Sequence, residues 1–217
     1  QAEPVFRACV DECAEALRLQ LGVDIRETLF PAPAQRAEAE KRIQETWLTQ
    51  PVIFTLELAL ARLWMARGVK PAMVMGHSVG EYVAAVLAQT FTAADALRLL
   101  AKRARMMMDL PAGSMLAVRM PADEIAPLLP EGVSVAAINS PKICTVSGPT
   151  PAIKTLQQTL EAKGALARLL PTSHAFHSSM MDPMLEPFAR EAAAVPFQAP
   201  TLQWISTCTG RAMSAAD

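Results

Sequence analysis

A serine flanked by two glycines is the first feature of this sequence that could do chemistry. The segment reads Gly76-His77-Ser78-Val79-Gly80, after a short apolar run and before a stretch of helical periodicity. Strand, glycine-flanked serine and helix, in that order, are typical of a nucleophile elbow. Glycine lacks the side chain that would collide with neighbouring backbone in such a turn. The spacing therefore predicts that Ser78 presents its hydroxyl at a sharp, strained turn.

The residue after this serine could supply a second part of the chemistry. The amide of Val79 is predicted to lie at a helix N-terminus, where unpaired N–H groups and the helix dipole stabilise a developing negative charge. The alternative is structural, with Ser78 as an ordinary helix N-cap in a glycine-rich turn. Short motifs arise by chance, so the pentapeptide alone does not decide between the two.

Histidine is the usual base for a serine nucleophile, and the chain has 3 histidines: His77, His174 and His177. The side chain next to a serine on a strand-to-helix turn points away, so we expect His174 or His177 to reach Ser78. Spacing alone does not choose between them. The alternative is that both are solvent-exposed or core histidines. However, the preceding residues 171–173 are typical of a loop, and loops often carry function.

An arginine on a predicted helix over residues 92–109 is the next candidate. It shares one helix face with three apolar residues, namely Ala96, Leu100 and Met107. A buried charge needs a partner, and Arg103 could hold a substrate carboxylate with its guanidinium fork. It could instead form an intramolecular salt bridge or extend its stem to water. Gln50, at the entrance of a helix predicted over residues 51–67, could orient the same carboxylate, although the residues alone favour a simple backbone hydrogen bond.

Composition restricts the classes of protein to which these residues can belong. The 217 residues are 52% hydrophobic and 19% charged, a balance typical of a globular chain with a large core. A formal net charge of -1 gives no long-range attraction to nucleic acid or to an anionic membrane. No window reaches the ~20 apolar residues of a membrane span, and no signal peptide is recognisable. We therefore expect no nucleic-acid or membrane partner and a cytoplasmic location.

The cysteines give no sign of a disulfide framework or a metal site. There are 4 of them, at positions 9, 13, 144 and 208, which is too few and too scattered for a framework. Cys9 and Cys13 lie on a predicted helix without a nearby histidine. We interpret all of them as reduced packing residues and predict no bound metal.

The order of predicted elements indicates an α/β protein with an inserted subdomain. Residues 71–75 form a strand before the serine, and helices follow it. Between residues 113 and 172 the predicted order is β-α-β-β-α-β, which is the ferredoxin-like unit. We therefore predict a large subdomain in two parts, residues 1–112 and 173–217, and a small subdomain over residues 113–172.

Several separated motifs occur here in the order found in one enzyme family. They are Gly76-His77-Ser78-Val79-Gly80-Glu81-Tyr82, Arg103 at 25 residues after the serine, Thr49-Gln50-Pro51, His174-Ala175-Phe176-His177-Ser178 and Asn139-Ser140-Pro141. Together they resemble the malonyl-CoA acyltransferase family, above all the acyltransferase domains of modular polyketide synthases. The resemblance implies an α/β-hydrolase-like large subdomain with an inserted ferredoxin-like small subdomain.

The resemblance also implies roles for individual residues. Ser78 would become acylated and His177 would be the general base. Arg103 would pair with the free carboxylate of a malonyl unit, and Gln50 would line that pocket. Further substrate-binding positions are His77, Val79, Phe176 and Asn139, with the Val79 amide as an oxyanion donor.

The implied substrate is malonyl-CoA, and the implied acceptor is the phosphopantetheine thiol of an acyl carrier protein. No tightly bound cofactor is expected, and neighbouring ketosynthase and linker domains are expected as partners. In this family Val after the serine and Phe in His-Ala-Phe-His accompany malonyl, because the ring leaves no room for an α-methyl group. Discrimination by one methyl group is worth only ~1–3 kcal/mol, so some leakage is expected.

The sequence departs from the family in three places. A Gly-Gln-Gly loop usually precedes the first residue seen here, and a segment that orients the catalytic histidine usually follows the last, so we expect truncation at both ends. Gln89-Thr90 also stands where relatives usually have a small, glycine-containing pair.

Two alternative functions compete with acyl transfer. A serine hydrolase or editing thioesterase would use the same elbow with water as acceptor, but Arg103 and the ferredoxin-like insert disfavour it. Such an enzyme also needs an acidic residue between serine and histidine, and Asp95 and Asp109 sit on predicted helices. The other alternative is an inactive, truncated structural module.

Overall fold

The computed structural model describes residues 3–214 and divides into two compact units. The first comprises Gln1–Arg105 and Arg190–Asp217, and the second comprises Met106–Ala189. The predicted small subdomain lies within the second unit. Its predicted boundaries at residues 113 and 172 stay a prediction, because compactness alone does not fix them.

The first unit combines helices with a short parallel sheet. Its elements are α1 (Pro4–Leu21), α2 (Ile25–Leu29), α3 (Arg36–Arg42), α4 (Thr46–Ala66), β1 (Met73–Met75), α5 (Gly80–Leu87), the greater part of α6 (Ala93–Met108) and β6 (Gln203–Ile205). Strands β1 and β6 are parallel, with Met73 opposite Gln203 and Met75 opposite Ile205. Helix α1 packs on α4, and fully buried Leu17, Phe54 and Leu58 lie on these two helices. Burying each such side chain contributes about 1.5–3 kcal/mol.

The helix before the serine strand begins earlier than the sequence predicts. Pro51 was expected at the helix entrance, but it lies inside α4, which starts at Thr46. The first turn forms because the Leu48 and Thr49 amides both donate to the Glu45 carbonyl. Helices α2 and α3 were not predicted, because both are short and the second lies in a polar stretch.

The second unit has the predicted ferredoxin-like order. Its elements are β2 (Ser114–Val118), α7 (Ala122–Ile125), β3 (Ser134–Ser140), β4 (Ile143–Gly148), α8 (Thr150–Ala162), β5 (Ala167–Leu169) and the greater part of α9 (Asp182–Ala193). The strands form one antiparallel sheet in the order β3-β4-β2-β5. This order confirms the β-α-β-β-α-β prediction.

One face of this sheet packs on the helices and forms the core of the second unit. Successive side chains of a strand alternate between the two faces of a sheet. Leu116 and Val118 of β2 and Val146 of β4 are buried with Ile153 and Leu156 of α8. The residues between them, such as Ala117, therefore belong to the opposite face. Among residues 3–214, no helix combines the length and the apolar character that a membrane crossing needs.

Candidate active site

Ser78 occupies a strained turn between β1 and α5. Its φ angle is +54°, in the left-handed region that non-glycine residues seldom adopt. Such a conformation costs about 1–2 kcal/mol and clusters at functional sites. The Gly80 and Glu81 amides donate to the carbonyls of His77 and Ser78, so the chain passes directly from the turn into the helix. The predicted elbow geometry is present.

The two glycines of the motif differ in how much space they have. A Cβ atom at Gly76 would lie 1.9 Å from the carbonyl carbon of Gly80 and 2.3 Å from the Glu81 nitrogen. Backbone cannot move aside as a flexible side chain can, so only glycine fits at position 76. A Cβ atom at Gly80 would meet only the Glu57 carboxylate, at 3.4 Å. The steric requirement predicted for both glycines therefore holds for Gly76 alone.

The Glu81 carboxylate, one residue after the Gly76–Gly80 pentapeptide, holds the elbow to the neighbouring strand β6 and the residues after it. Glu81 accepts hydrogen bonds from the Trp204 indole N–H at 2.7 Å and the Thr207 amide at 2.6 Å. The Thr207 hydroxyl lies 2.5 Å from Glu81 Oε1 and 2.9 Å from the Gly76 carbonyl oxygen. We call this set of contacts the Glu81 clamp. Sequence reasoning missed it, although Glu81 stands within the motif that carries the family resemblance.

The elbow opens into a cleft of about 740 Å³ within the first unit. His77 and Ser78 both line it, together with side chains of α4, β1 and α5. Glu57 of α4 also lines this cleft. Burial raises the pKa of Glu57, and the nearby His77 imidazole opposes that shift. Val79 is the N-cap of α5, so its amide lies at the positive end of that helix.

The structure brings together Arg103 and Gln50. The Arg103 guanidinium donates to Gln50 Oε1 at 2.5 Å. Burial lowers the pKa of Arg103, and the nearby Tyr82 opposes that shift. An arginine pKa starts far above neutrality, so the group stays charged. Within the described part of the chain Arg103 forms no salt bridge with a carboxylate, so the intramolecular salt bridge is not its role there.

The histidine loop, residues 173–178, belongs to the second unit. It holds the two candidate bases, His174 and His177, in different surroundings. His174 is only 8% exposed, and its Nδ1 atom lies 2.8 Å from the Ser173 hydroxyl oxygen. His177 is exposed and has a φ angle of +59°, a second non-glycine residue in the left-handed region. His177 is thus the accessible imidazole of this loop. The predicted hydrogen bond between His177 and Ser78 stays a prediction.

Close packing fixes the histidine loop from both sides. The Ser178 hydroxyl donates to the Ala175 carbonyl at 2.7 Å, and the Gly113 amide donates to the Ser173 carbonyl at 3.2 Å. A Cβ atom at Gly113 would lie 2.6 Å from the Ala175 Cβ atom. Glycine at position 113 therefore allows the loop to approach the start of β2.

The other two predicted substrate-binding residues of the second unit have different surroundings. Phe176 packs against a methionine cluster whose buried members are Met107, Met181 and Met184. Methionine side chains fill irregular space around an aromatic ring well. Asn139, on β3, is exposed and donates to the Thr145 hydroxyl at 3.0 Å.

Three non-glycine residues have positive φ angles in the described part of the chain, and two of them are the predicted nucleophile and base. The third is Gln89, at +61°, which follows the C-cap of α5. Its amide donates to the Val86 carbonyl, and the Thr90 amide donates to the Ala85 carbonyl. This is a Schellman motif, in which glycine usually takes the left-handed position.

Comparison with solved structures identifies the class of this fold. It matches the acyltransferase domain from the second module of the salinomycin polyketide synthase with a TM-score of 0.88 and 40% identity, over 99% of this chain and 49% of that one. It matches the acyltransferase domain of SpnD, in complex with 2-(pent-4-yn-1-yl)malonyl, with a TM-score of 0.87 and 37% identity, over 98% and 50% of the two chains. The predicted fold class is confirmed.

Sequence comparison then gives the family. The family model described as "Acyl transferase domain" matches residues 1–217, so the chain belongs to the acyltransferase-domain family. The phenolphthiocerol synthesis polyketide synthase type I Pks15/1 of Mycobacterium marinum is 40% identical over 213 residues. That match covers 98% of this chain and 10% of the relative. The chain thus spans about half of the solved domains and about a tenth of that synthase.

Proposed function

We propose that this chain transfers a malonyl unit from malonyl-CoA, through an ester on Ser78, to the phosphopantetheine thiol of an acyl carrier protein in polyketide biosynthesis. The observation that carries the proposal is the strained Ser78 turn, which Gly76 makes possible and which leads into α5. Strain of this kind persists where the surrounding structure holds it for a purpose. Membership of the acyltransferase-domain family supports the same reaction.

In the first half-reaction His177 takes the hydroxyl proton of Ser78 while the serine oxygen attacks the thioester carbonyl. The Val79 amide stabilises the oxyanion that forms. The carbon–sulfur bond then breaks, and coenzyme A leaves with the proton carried by the imidazole. In the second half-reaction a pantetheine thiol gives its proton to His177 and attacks the acyl-serine carbonyl. The ester C–O bond then breaks, and His177 returns the proton to the Ser78 oxygen.

Arg103 supports a substrate with a free carboxylate. Its charge is half-buried and is met in the described residues by a neutral amide, Gln50, and not by an acid. A malonyl carboxylate would accept two hydrogen bonds from the guanidinium fork. Gln50 would hold that fork in position. The SpnD relative, whose complex contains a substituted malonyl group, supports a malonyl-type substrate.

Phe176 supports selection against α-substituents. Its ring is backed by the methionine cluster, so space for an extra methyl group requires the ring to move. The expected discrimination is about 1–3 kcal/mol, which corresponds to roughly tenfold to 200-fold. We therefore propose malonyl as the main extender unit, with some acylation by methylmalonyl.

Mass spectrometry of the acylated protein tests this function. The natural full-length protein, incubated with malonyl-CoA, should gain one malonyl group on Ser78, and Ser78→Ala should abolish the gain. Arg103→Ala should reduce malonyl loading at least about 100-fold, because a buried charge pair is lost, and should leave acetyl loading within a few fold. Acylation at another residue, or equal losses for both thioesters, would contradict the assignment. Rapid release of free malonate without a carrier would favour a hydrolase.

A further inference from the structure

The face of the second unit's sheet that is turned away from the helices carries an exposed apolar and cationic patch. Arg119, which follows β2, is flanked in register by Ile143 on one side and Leu166 on the other, and its amide donates to the Leu166 carbonyl. Arg168 of β5 pairs with Ala117 on the same face. Leu166 is 66% exposed and Ile143 is 40% exposed. We call Arg119, Ile143, Leu166 and Arg168 the open-face patch.

These side chains surround a shallow concavity of about 270 Å³, whose floor is formed by β2 and β5. Leu166 and Ile143 supply its apolar surface, and the two arginines supply the charge around that surface. Exposed apolar patches with a polar rim mark interaction sites more often than isolated exposed residues do. The concavity is too shallow to enclose a small molecule, but an aliphatic side chain of a partner protein would fit it.

The charged side chains of the open-face patch are all positive. None of the four strands contains an acidic residue, and Lys142 in the turn between β3 and β4 adds a further cation. Within residues 3–214, Arg119 and Arg168 form no ion pair with a carboxylate. The acidic residues of this unit that lie on α7 and α8 are on the other side of the sheet. The patch therefore favours an acidic partner.

The spacing of the two arginines favours a helix in that partner. Arg119 and Arg168 are diagonal neighbours on adjacent antiparallel strands, which places their Cα atoms about 7–8 Å apart. Carboxylates one turn apart on a helix have Cβ atoms about 5–6 Å apart. Two flexible arginine side chains can bridge that difference. An acidic amphipathic helix could thus pair with both arginines and place an aliphatic side chain between Ile143 and Leu166.

We infer that the open-face patch is the docking surface for an acidic helix of the carrier protein that accepts the acyl group. This inference rests on the proposed function, because only acyl transfer to a protein thiol requires such a partner. A carrier must bind briefly and leave, and a small patch with few charges gives weak, rapid association of that kind.

The test separates the two half-reactions. Acyl-enzyme is prepared with malonyl-CoA, and its decay is measured with carrier protein and, separately, with free pantetheine as acceptor. The double variant Arg119→Glu/Arg168→Glu should transfer to the carrier at least about tenfold more slowly, because like charges now face the acidic helix. Its rates with pantetheine and with malonyl-CoA should stay within twofold of wild type, as an approximate bound. Rising salt should slow carrier transfer in wild type and not in the variant.

Matched controls keep the result interpretable. Lys154→Glu/Lys163→Glu makes the same change of net charge on and just after α8, at exposed positions away from the patch, and should leave carrier transfer unchanged. Single variants Arg119→Ala and Arg168→Ala provide a milder form of the test, with about threefold losses each.

Equal slowing with carrier and pantetheine, or no slowing in any variant, would overturn the docking surface. A selective loss of loading from malonyl-CoA would also overturn it and would assign the arginines to the phosphates of coenzyme A. Failure of the proposed function is distinct, since wild-type protein would then form no acyl-Ser78 at all.

Discussion

The serine elbow and the histidine loop both contain a residue with a positive φ angle, but different parts of the chain make room for the two backbones. Each holds a non-glycine residue in the left-handed region, Ser78 at +54° and His177 at +59°. In the elbow the steric support is local, because Gly76 lets the backbone of the turn close on Gly80 within four residues, and the Glu81 clamp adds contacts from farther along the chain. In the loop the support is distant, because Gly113 makes room for Ala175 from another part of the chain.

This difference decides what a sequence reveals about each site. A local steric requirement leaves a short motif with fixed spacing, and the elbow is therefore recognisable. The histidine loop also contains a recognisable motif, but Gly113, which gives the loop its space, lies some 60 residues away and is not part of that motif. The two regions should accordingly respond differently to the loss of their supporting glycine.

The largest effect is expected for Gly76→Ala. The new Cβ atom would lie 1.9 Å from the Gly80 carbonyl carbon, so the turn must open. We expect a loss of about 3 kcal/mol in the free energy of unfolding and about 10³-fold slower acylation of Ser78, because the Val79 amide, the proposed oxyanion donor, moves with the turn. Chemical denaturation and single-turnover mass spectrometry measure the two quantities.

Gly80→Ala is the matched control for that change. Its Cβ atom would lie at an ordinary contact distance of 3.4 Å from Glu57, and alanine favours the first turn of α5. Stability should change by less than about 1 kcal/mol. Similar losses for the two alanine variants would show that the elbow does not depend on the steric role given to Gly76.

A smaller effect is expected for Gly113→Ala. The clash with Ala175 at 2.6 Å shifts the histidine loop but leaves the elbow intact. We expect about 1–3 kcal/mol of destabilisation and about 100-fold slower acylation, since a displacement near 1 Å is enough for such a loss. A variant with normal acylation kinetics and an intact loop would contradict the importance of this approach for His177.

The smallest effect is expected for Gln89→Gly, at the third left-handed position. Gln89 is exposed and closes a Schellman motif, so glycine should relieve strain without loss of packing. We expect the protein to gain about 1 kcal/mol, seen as a rise of about 2–4 °C in Tm, with unchanged acylation. A decrease in Tm would mean that the glutamine side chain contributes more than its backbone costs.

Much of the fold was predictable because its elements carry periodic apolar patterns or motif residues. The helix with Arg103 and the βαββαβ order of the second unit are of this kind, and both are confirmed. The polar and short helices α2 and α3 were not predicted, since neither has enough length for a periodic pattern.

Less of the candidate site could be read from the residues alone. Spacing could not choose between His174 and His177, whereas burial and the contact with Ser173 distinguish them in the structure. The pairing of Gln50 with Arg103 depends on two helices that meet only in the folded chain. The Glu81 clamp was missed because its donors, Trp204 and Thr207, lie far along the sequence.

The Glu81 clamp has a consequence for how this protein acquires its geometry during synthesis. Glu81 and Thr207 are separated by 126 positions. The turn that carries Ser78 therefore leaves the ribosome long before Thr207, the residue that holds it through Glu81. Contacts between such distant segments form late in folding, because a long loop must first close. The nascent chain is therefore expected to carry a loosely held serine until almost the whole of the chain described here has emerged.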